Sequence, residues 1–323
     1  MLAFPVLVSP RSLAPIKAKR SRTSLAVSKR ILRLPRHLRF GPAFSIRVRI
    51  RKPGAAVVRA GRAFYRGRYH PFTLHRIRKN LLVRWGGIGD FLIERRGRLL
   101  TVWPAPASAP GSVRDFLVTV ASSFALLEQG VESLHASAVT LKGRGVAFLG
   151  PPGCGKSTLA AWFARRGRRV VADDFLVIHR KSRRLLAYPG LAEIKLSRAA
   201  GRALGLRWDR LPAIEPGNPK RIWQAPRTRR AQRLAALYFL RLRGSSRGGV
   251  RLRRLAHPAC FRALLACAYN PTLGTRGRLR RQFDLLTRLA ASVPAKQLIL
   301  PRGWKHLEEA RTLIEQDLAR LAR

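Results

Sequence analysis

Val146-Ala-Phe-Leu-Gly150-Pro-Pro-Gly-Cys-Gly155-Lys156-Ser157-Thr158 is the stretch on which the fold turns. Four apolar residues in a row read as a buried strand. Gly150–Ser157 then matches the phosphate-loop pattern at every fixed position, and an amphipathic helix is expected from Lys156 to about Arg166. Glycines permit positive φ and a close backbone approach, so successive N–H groups can point at phosphate oxygens. The head of the helix presents its positive dipole end to the same anion. The expected phosphate contacts are Gly150, Pro151, Pro152, Gly153, Cys154, Gly155, Lys156, Ser157 and Thr158. Lys156 reaches the β- and γ-phosphates in this reading, and the Ser157 hydroxyl holds Mg²⁺. The nucleotide is expected to be ATP, since no Asn-Lys-x-Asp guanine-reading motif occurs.

Gly167 ends the expected helix, and Arg169–Ala172 reads as the next strand, closed by Asp173-Asp174, 17 positions after Lys156. Carboxyl ends of strands in open α/β sheets face the ligand crevice. Two adjacent acids there can divide the work, one on Mg²⁺ and one accepting the proton of an attacking hydroxyl. The plainer alternative is that one aspartate caps the next segment. His135, in Leu134-His-Ala-Ser-Ala-Val139, reads as a structural strand histidine on its own residues. Lys220-Arg221 follows a turn and could stabilise charge on a transferring phosphoryl group, although basic pairs are common in this chain.

The chain has 323 residues, 46% of them hydrophobic, with 66 Lys+Arg against 15 Asp+Glu and a formal net charge of +51. That length allows one large domain with a smaller appendage. The expected division is a basic N-terminal region over 1–85, poorly ordered or small, and a catalytic domain over 86–323. No acid precedes Asp90, and folded structure is expected to begin between 60 and 90. Arg47–Arg51 alternates and reads as an edge strand. The basic excess is spread along the whole chain, and nothing resembles a zinc-finger, basic-region or aromatic RNA-binding pattern, so nucleic acid is expected to bind nonspecifically. Phe116–Leu127 is too short an apolar run for a membrane span, no secretory signal is evident, and a cytoplasmic protein is expected. Cys154, Cys260 and Cys267 are too few for a disulfide framework or a metal site.

Further elements follow from periodicity. Asp90–Glu94 and Leu99–Val102 read as strands, and Val113 to about Gln129 as a helix capped by Ser112. Leu134–Leu141 reads as a strand, and Phe175–His179 with Leu185–Tyr188 as a hairpin. Ala235–Leu242, Val250–Leu255 and Gln297–Leu300 read as strands, and Pro258–Ala268, Leu279–Ser292 and Lys305–Leu321 as helices. This mixture argues for an α/β core.

Taken together, Leu134–Val139, Gly150–Thr158 and Arg166–Asp174 resemble the catalytic domain of HPr serine kinase/phosphorylase, and more nearly the HPr-kinase-related proteins of bacterial peptide-modification clusters. The resemblance covers about 85–320 and includes Tyr188-Pro-Gly190, Ile194-Lys-Leu196 and the Lys220-Arg221 turn. It implies the phosphate-loop sheet shared with phosphoenolpyruvate carboxykinase, preceded by a small β-containing region. It implies ATP- and Mg²⁺-dependent transfer of a phosphoryl group to a serine of a protein or peptide. Asp173 matches the general base, Asp174 the metal-side acid, and His135 the histidine near the reacting phosphoryl group. Two departures stand out: Thr158 replaces a glutamate, and Ala192-Glu-Ile-Lys-Leu196 replaces a longer glycine-containing stretch. Phosphorylase activity, HPr as acceptor and the oligomeric state do not carry over. The alternatives are a non-catalytic ATP-binding regulatory module and a nucleic-acid-associated ATPase or small-molecule kinase.

Overall fold

Alternating apolar residues in the N-terminal third form a seven-stranded sheet. It appears in a computed structural model that describes residues 34–52, 62–66, 72–215, 217–244, 248–269 and 273–321. The described residues divide into two units, one built on 44–129 with the residues before 40 and 212–221, the other on 40–43, 130–211 and 222–323.

In the first unit the strands are β1 (His37–Phe40), β2 (Phe44–Ile50), β3 (Tyr65–Arg66), β4 (Phe72–Ile77), β5 (Asn80–Trp85), β6 (Gly89–Glu94) and β7 (Leu99–Pro104), in the order β1-β2-β7-β6-β5-β4-β3. β3 to β7 are an antiparallel meander, and β2 pairs β7 in parallel. The first strand therefore starts at His37, ahead of the expected 60–90 window. Arg47–Ile50 lies in β2, between β1 and β7, and is not an edge. The basic segment 1–33 lies outside the described residues.

The expected single helix is α1 (Pro110–Phe116), a π-helical segment over Leu117–Ala121, and α2 (Ser122–Glu128). Ser112 does not cap it. Ala109 is the N-cap, because Pro110 has the fixed φ suited to a first helical position. The Ser112 hydroxyl instead donates to the Glu215 carboxylate. Phe116 meets Trp85 and Phe91 with ring centroids 4.6 Å apart in each pair, and Phe124 meets Phe72 at 6.3 Å. These rings make the core of the unit, each worth about 1.5–3 kcal/mol of burial.

The second unit opens with β8 (Ser133–Leu134), β9 (Ala136–Leu141), β10 (Arg144–Leu149), α3 (Lys156–Arg165), β11 (Arg169–Ala172), β12 (Leu176–Lys181), β13 (Arg184–Tyr188), β14 (Glu193–Ser197) and α4 (Arg198–Ala203). β15 (Lys220–Gln224), β16 (Gln232–Leu242), β17 (Arg251–Arg254), α5 (His257–Ala266), α6 (Arg276–Ser292), β18 (Ala295–Leu300) and α7 (His306–Arg320) follow. Nine strands form one mixed sheet in the order β11-β9-β10-β16-β13-β12-β8, with β18 also on β16 and β17 on β18. β16 is parallel to both β10 and β18.

Alternation on these strands feeds two cores. Val139, Val146, Phe148, Tyr238 and Leu240 face one side with α3 and α7, while Ala138, Ala147, Leu149, Leu237 and Phe239 face the other with α5 and α6. Strands buried on both faces read as near-continuous apolar runs, as Val146–Leu149 does. The Phe148 and Phe163 rings stack at 5.6 Å and fasten α3 to the sheet. The architecture is mixed α/β, as the sequence pattern implied.

Candidate active site

Three strand ends meet at one edge of the second sheet. β9 runs antiparallel to both β10 and β11, so the start of β9 lies beside the carboxyl ends of the other two. The register pairs Leu149 with Ala136 and Ala172 with Ala138. Hence Gly150, which follows β10, Asp173, which follows β11, and His135, which precedes β9, are brought together from separate parts of the sequence.

The loop between β10 and α3 has φ of +137° at Gly150, +82° at Gly153 and +95° at Gly155. At Gly150 a Cβ would stand 2.9 Å from the Leu240 carbonyl oxygen, so only glycine lets the loop leave the sheet there. Gly155 is the N-cap of α3. Lys156 is buried, and its ammonium donates to the carbonyls of Gly150 at 2.9 Å and Pro151 at 3.0 Å. Among the loop residues Pro151, Pro152 and Gly153 are exposed, Ser157 and Thr158 are half-buried on the first turn of α3, and the Cys154 thiol is buried with its pKa pushed up by burial.

Asp173 is buried. Its Oδ1 accepts the Ser137 hydroxyl at 2.5 Å, and the Ser157 hydroxyl at the head of α3 also favours its charged form. Burial, then the neighbouring Asp174 charge, raise its pKa to about 6 against the pull of these two hydroxyls and Lys195. Asp174 has φ +65°, a left-handed conformation uncommon for a residue other than glycine. Lys195 Nζ lies 3.4 Å from its Oδ2 and His135 Nδ1 3.3 Å from its Oδ1. Burial opposes ionisation of Asp174, but Lys195 and His135 outweigh it and hold the carboxyl below its ordinary range. The His135 pKa is lowered, chiefly by burial, so the ring is neutral near pH 7. Its Nδ1 makes no hydrogen bond among the described residues despite its closeness to Asp174.

The structure thus gathers His135, Lys156, Ser157, Asp173 and Asp174, all named from sequence, at the adjoining ends of β9, β10 and β11. Lys220 and Arg221 open β15, which pairs with β14, the strand of Lys195. Two residues were missed. Lys195 sits on β14, where Ile194 and Leu196 are buried and the intervening lysine reaches Asp174. Ser137 is fully buried between two alanines of β9. A buried hydroxyl in an apolar strand must find a partner, and that was the available signal.

No family model matches the chain. A segment is 40% identical over 78 residues to an HPr kinase/phosphorylase of Chlorobium phaeobacteroides, covering 24% of this chain and 21% of that protein. Similar enzymes of Prosthecochloris aestuarii and Pelodictyon phaeoclathratiforme are 42% identical over 59 residues and 46% over 50, covering 18% and 16% of this chain and 17% and 15% of theirs. The chain spans about a fifth or less of the length of these curated relatives. The solved structure of the Hpr(Ser) kinase/phosphatase from Coxiella burnetii is 12% identical, covers 58% of this chain and 97% of its own, and has a TM-score of 0.31. The fold is mixed α/β, with a strand, a glycine loop and a helix beside the clustered ionisable side chains. Over these segments the chain is similar to HPr kinase/phosphorylases.

Proposed function

We propose that this protein is an ATP-dependent kinase that transfers the γ-phosphoryl group to a serine hydroxyl of a protein or peptide, with the chemistry held within residues 86–323. The observation that carries the reading is the strand register that sets the end of β10, where the glycine loop to α3 begins, beside buried Asp173 at the end of β11. The similarity of one segment to HPr kinases agrees with it.

Main-chain N–H groups of Gly153–Ser157 and the positive end of α3 bind the β- and γ-phosphates, and Lys156 moves from the loop carbonyls to the phosphate oxygens. Asp174 and the Ser157 hydroxyl would offer hard oxygen donors, and one carboxylate plus substrate phosphates suits Mg²⁺. Among the described residues no group of three or more His, Cys, Asp or Glu side chains could hold a metal by itself. The bound metal supplies charge neutralisation on the phosphates. Above pH about 6 Asp173 is a carboxylate and can accept the serine proton while the serine oxygen bonds to the γ-phosphorus and the bond to ADP breaks. Neutral His135 and cationic Lys195 fix Asp174 from either side.

The test is transfer of label from γ-labelled ATP to serine-containing peptides. Asp173→Asn should lower the transfer rate on the order of 10²–10⁴-fold while nucleotide affinity holds within about threefold. A folded wild-type protein that binds ATP and labels no hydroxyl would leave only an ATP-binding regulatory module.

A further inference from the structure

α5 and α6 leave a large apolar face in solvent on the second unit. Phe261 and Phe283 meet at 5.4 Å between ring centroids, and Phe283 is 58% exposed. One turn nearer the connection between the helices, four residues along each, stand Leu265 and Leu279, exposed by 48% and 47%. Side chains four apart share a helix face, so the four form two adjacent rows. The rest of both helices reaches the core through Cys260, Leu264, Leu286 and Leu289, so this exposure is not a failure to pack. Exposed Arg262, Arg276 and Arg280 stand beside the rows, with Asp284 as the one acid of the two helices.

The same hairpin supports the crevice. The Cys267 carbonyl, two residues after Leu265, accepts the His135 amide at 2.7 Å, and the Tyr269 and His135 rings lie 6.2 Å apart. Buried Arg278 holds the Tyr269 carbonyl at 3.0 Å and pairs with Glu132. An apolar face at i, i+4 spacing, rimmed by arginines, fits a helix with an apolar stripe and acidic flanks. A second copy of this chain fits poorly, because it would bring the same arginines and a net charge of +51 against them.

We propose that the α5–α6 face docks an acidic, amphipathic helical segment of the polypeptide that carries the acceptor serine. The word acceptor rests on the kinase reading, whereas the docking is measurable without nucleotide. The experiment is fluorescence anisotropy of the full chain with a labelled peptide of about 18 residues. It carries Leu and Phe at i, i+3, i+4 and i+7 and Glu elsewhere. A scrambled peptide of the same composition is the control, and salt is about 0.3 M to screen bulk charge. The ordered peptide should bind at least about tenfold more tightly than the scrambled one, a difference of about 1.4 kcal/mol. Leu279→Ser with Phe283→Ser should erase the difference while ATP affinity stays unchanged. Equal binding of both peptides, or unchanged binding by the double variant, overturns the proposal. So does capture of phosphatidylglycerol vesicles or an RNA oligomer that depends on Leu279 and Phe283 where the ordered peptide fails. Loss of label transfer together with intact peptide docking would remove the kinase reading alone.

Discussion

The seven-stranded sheet of the first unit and the nine-stranded sheet of the second differ in how their strands are joined. From β4 to β7 each strand reaches the next by a tight turn, through Arg78-Lys79, Gly86–Ile88 and Arg95–Arg98 in turn, and neighbours in sequence are neighbours in space. The charged pair Arg84–Asp90 is a cross-strand contact at 3.0 Å on that ladder, partly exposed and worth little beyond register. In the second sheet β10 adjoins β16 and β16 adjoins β18, so ends from distant sequence share an edge. There, buried Asp173 and partly buried Asp174 and His135 lie together with shifted ionisation. A meander is built from local contacts, whereas a crevice with opposed ionisable groups needs crossovers to assemble it.

This contrast can be broken most sharply at Gly97. Its φ is +83°, and a Cβ there would run into the Ala125 carbonyl. Gly97→Val should destabilise the first unit by more than about 4 kcal/mol, with amide exchange rising across β6 and β7. Nucleotide affinity of the surviving folded protein should change less than about twofold. A tenfold loss would show that the two sheets do not act separately.

Next in size is the buried pair of the second unit. Arg278→Met leaves Glu132 charged and buried, and urea unfolding should read a loss of about 3–5 kcal/mol. Adding Glu132→Gln should recover most of it.

A smaller and opposite effect is expected at Asp173. Its folded pKa of about 6 exceeds its ordinary 3.8, so the folded state favours the protonated form. Stability present at low pH is therefore lost as pH rises from 3.8 through about 6, amounting to about 3 kcal/mol at neutral pH in ligand-free protein. Asp173→Asn should raise the thermal midpoint at pH 7.5 while lowering transfer. A lowered midpoint would mean that the Ser137 and Ser157 contacts outweigh the burial of charge.

The smallest effect is at His135. Its folded pKa is depressed below 6.5, so its contribution is complete above pH 6.5 and is lost as pH falls below that value. His135→Gln should flatten the acid side of the stability profile. An unchanged slope would mean that the ring is not held neutral.

The crevice was legible to the extent that it is local. Gly150–Ser157 and Arg169–Asp174 lie on the strands and helix their sequences suggest, because a fully apolar run, a glycine loop and an alanine-rich helix leave few alternatives. The break of the expected 134–141 strand at His135 was not legible, since it comes from the Cys267 carbonyl, 132 positions away in sequence. Lys195 was hidden for the same reason: β14 reaches Asp174 only in three dimensions. In the first unit Arg47–Arg51, Asp90–Glu94 and Leu99–Val102 were legible as strands, whereas β4 and β5 were not, because consecutive residues such as Leu81-Leu82-Val83 are buried on both faces and leave no alternation. The π-helical segment at Leu117–Ala121 leaves no mark in an otherwise helical apolar run.

Lys156 spends the ligand-free state hydrogen-bonded to Gly150 and Pro151, at the entrance to its own loop. On the proposed kinase reading an incoming phosphate would meet a competitor already in place, and binding would be an exchange of partners for one ammonium rather than the filling of a vacancy. The attraction to the anion would be offset in part by the two carbonyl contacts given up. The same two contacts hold the start of the loop to the lysine that follows it.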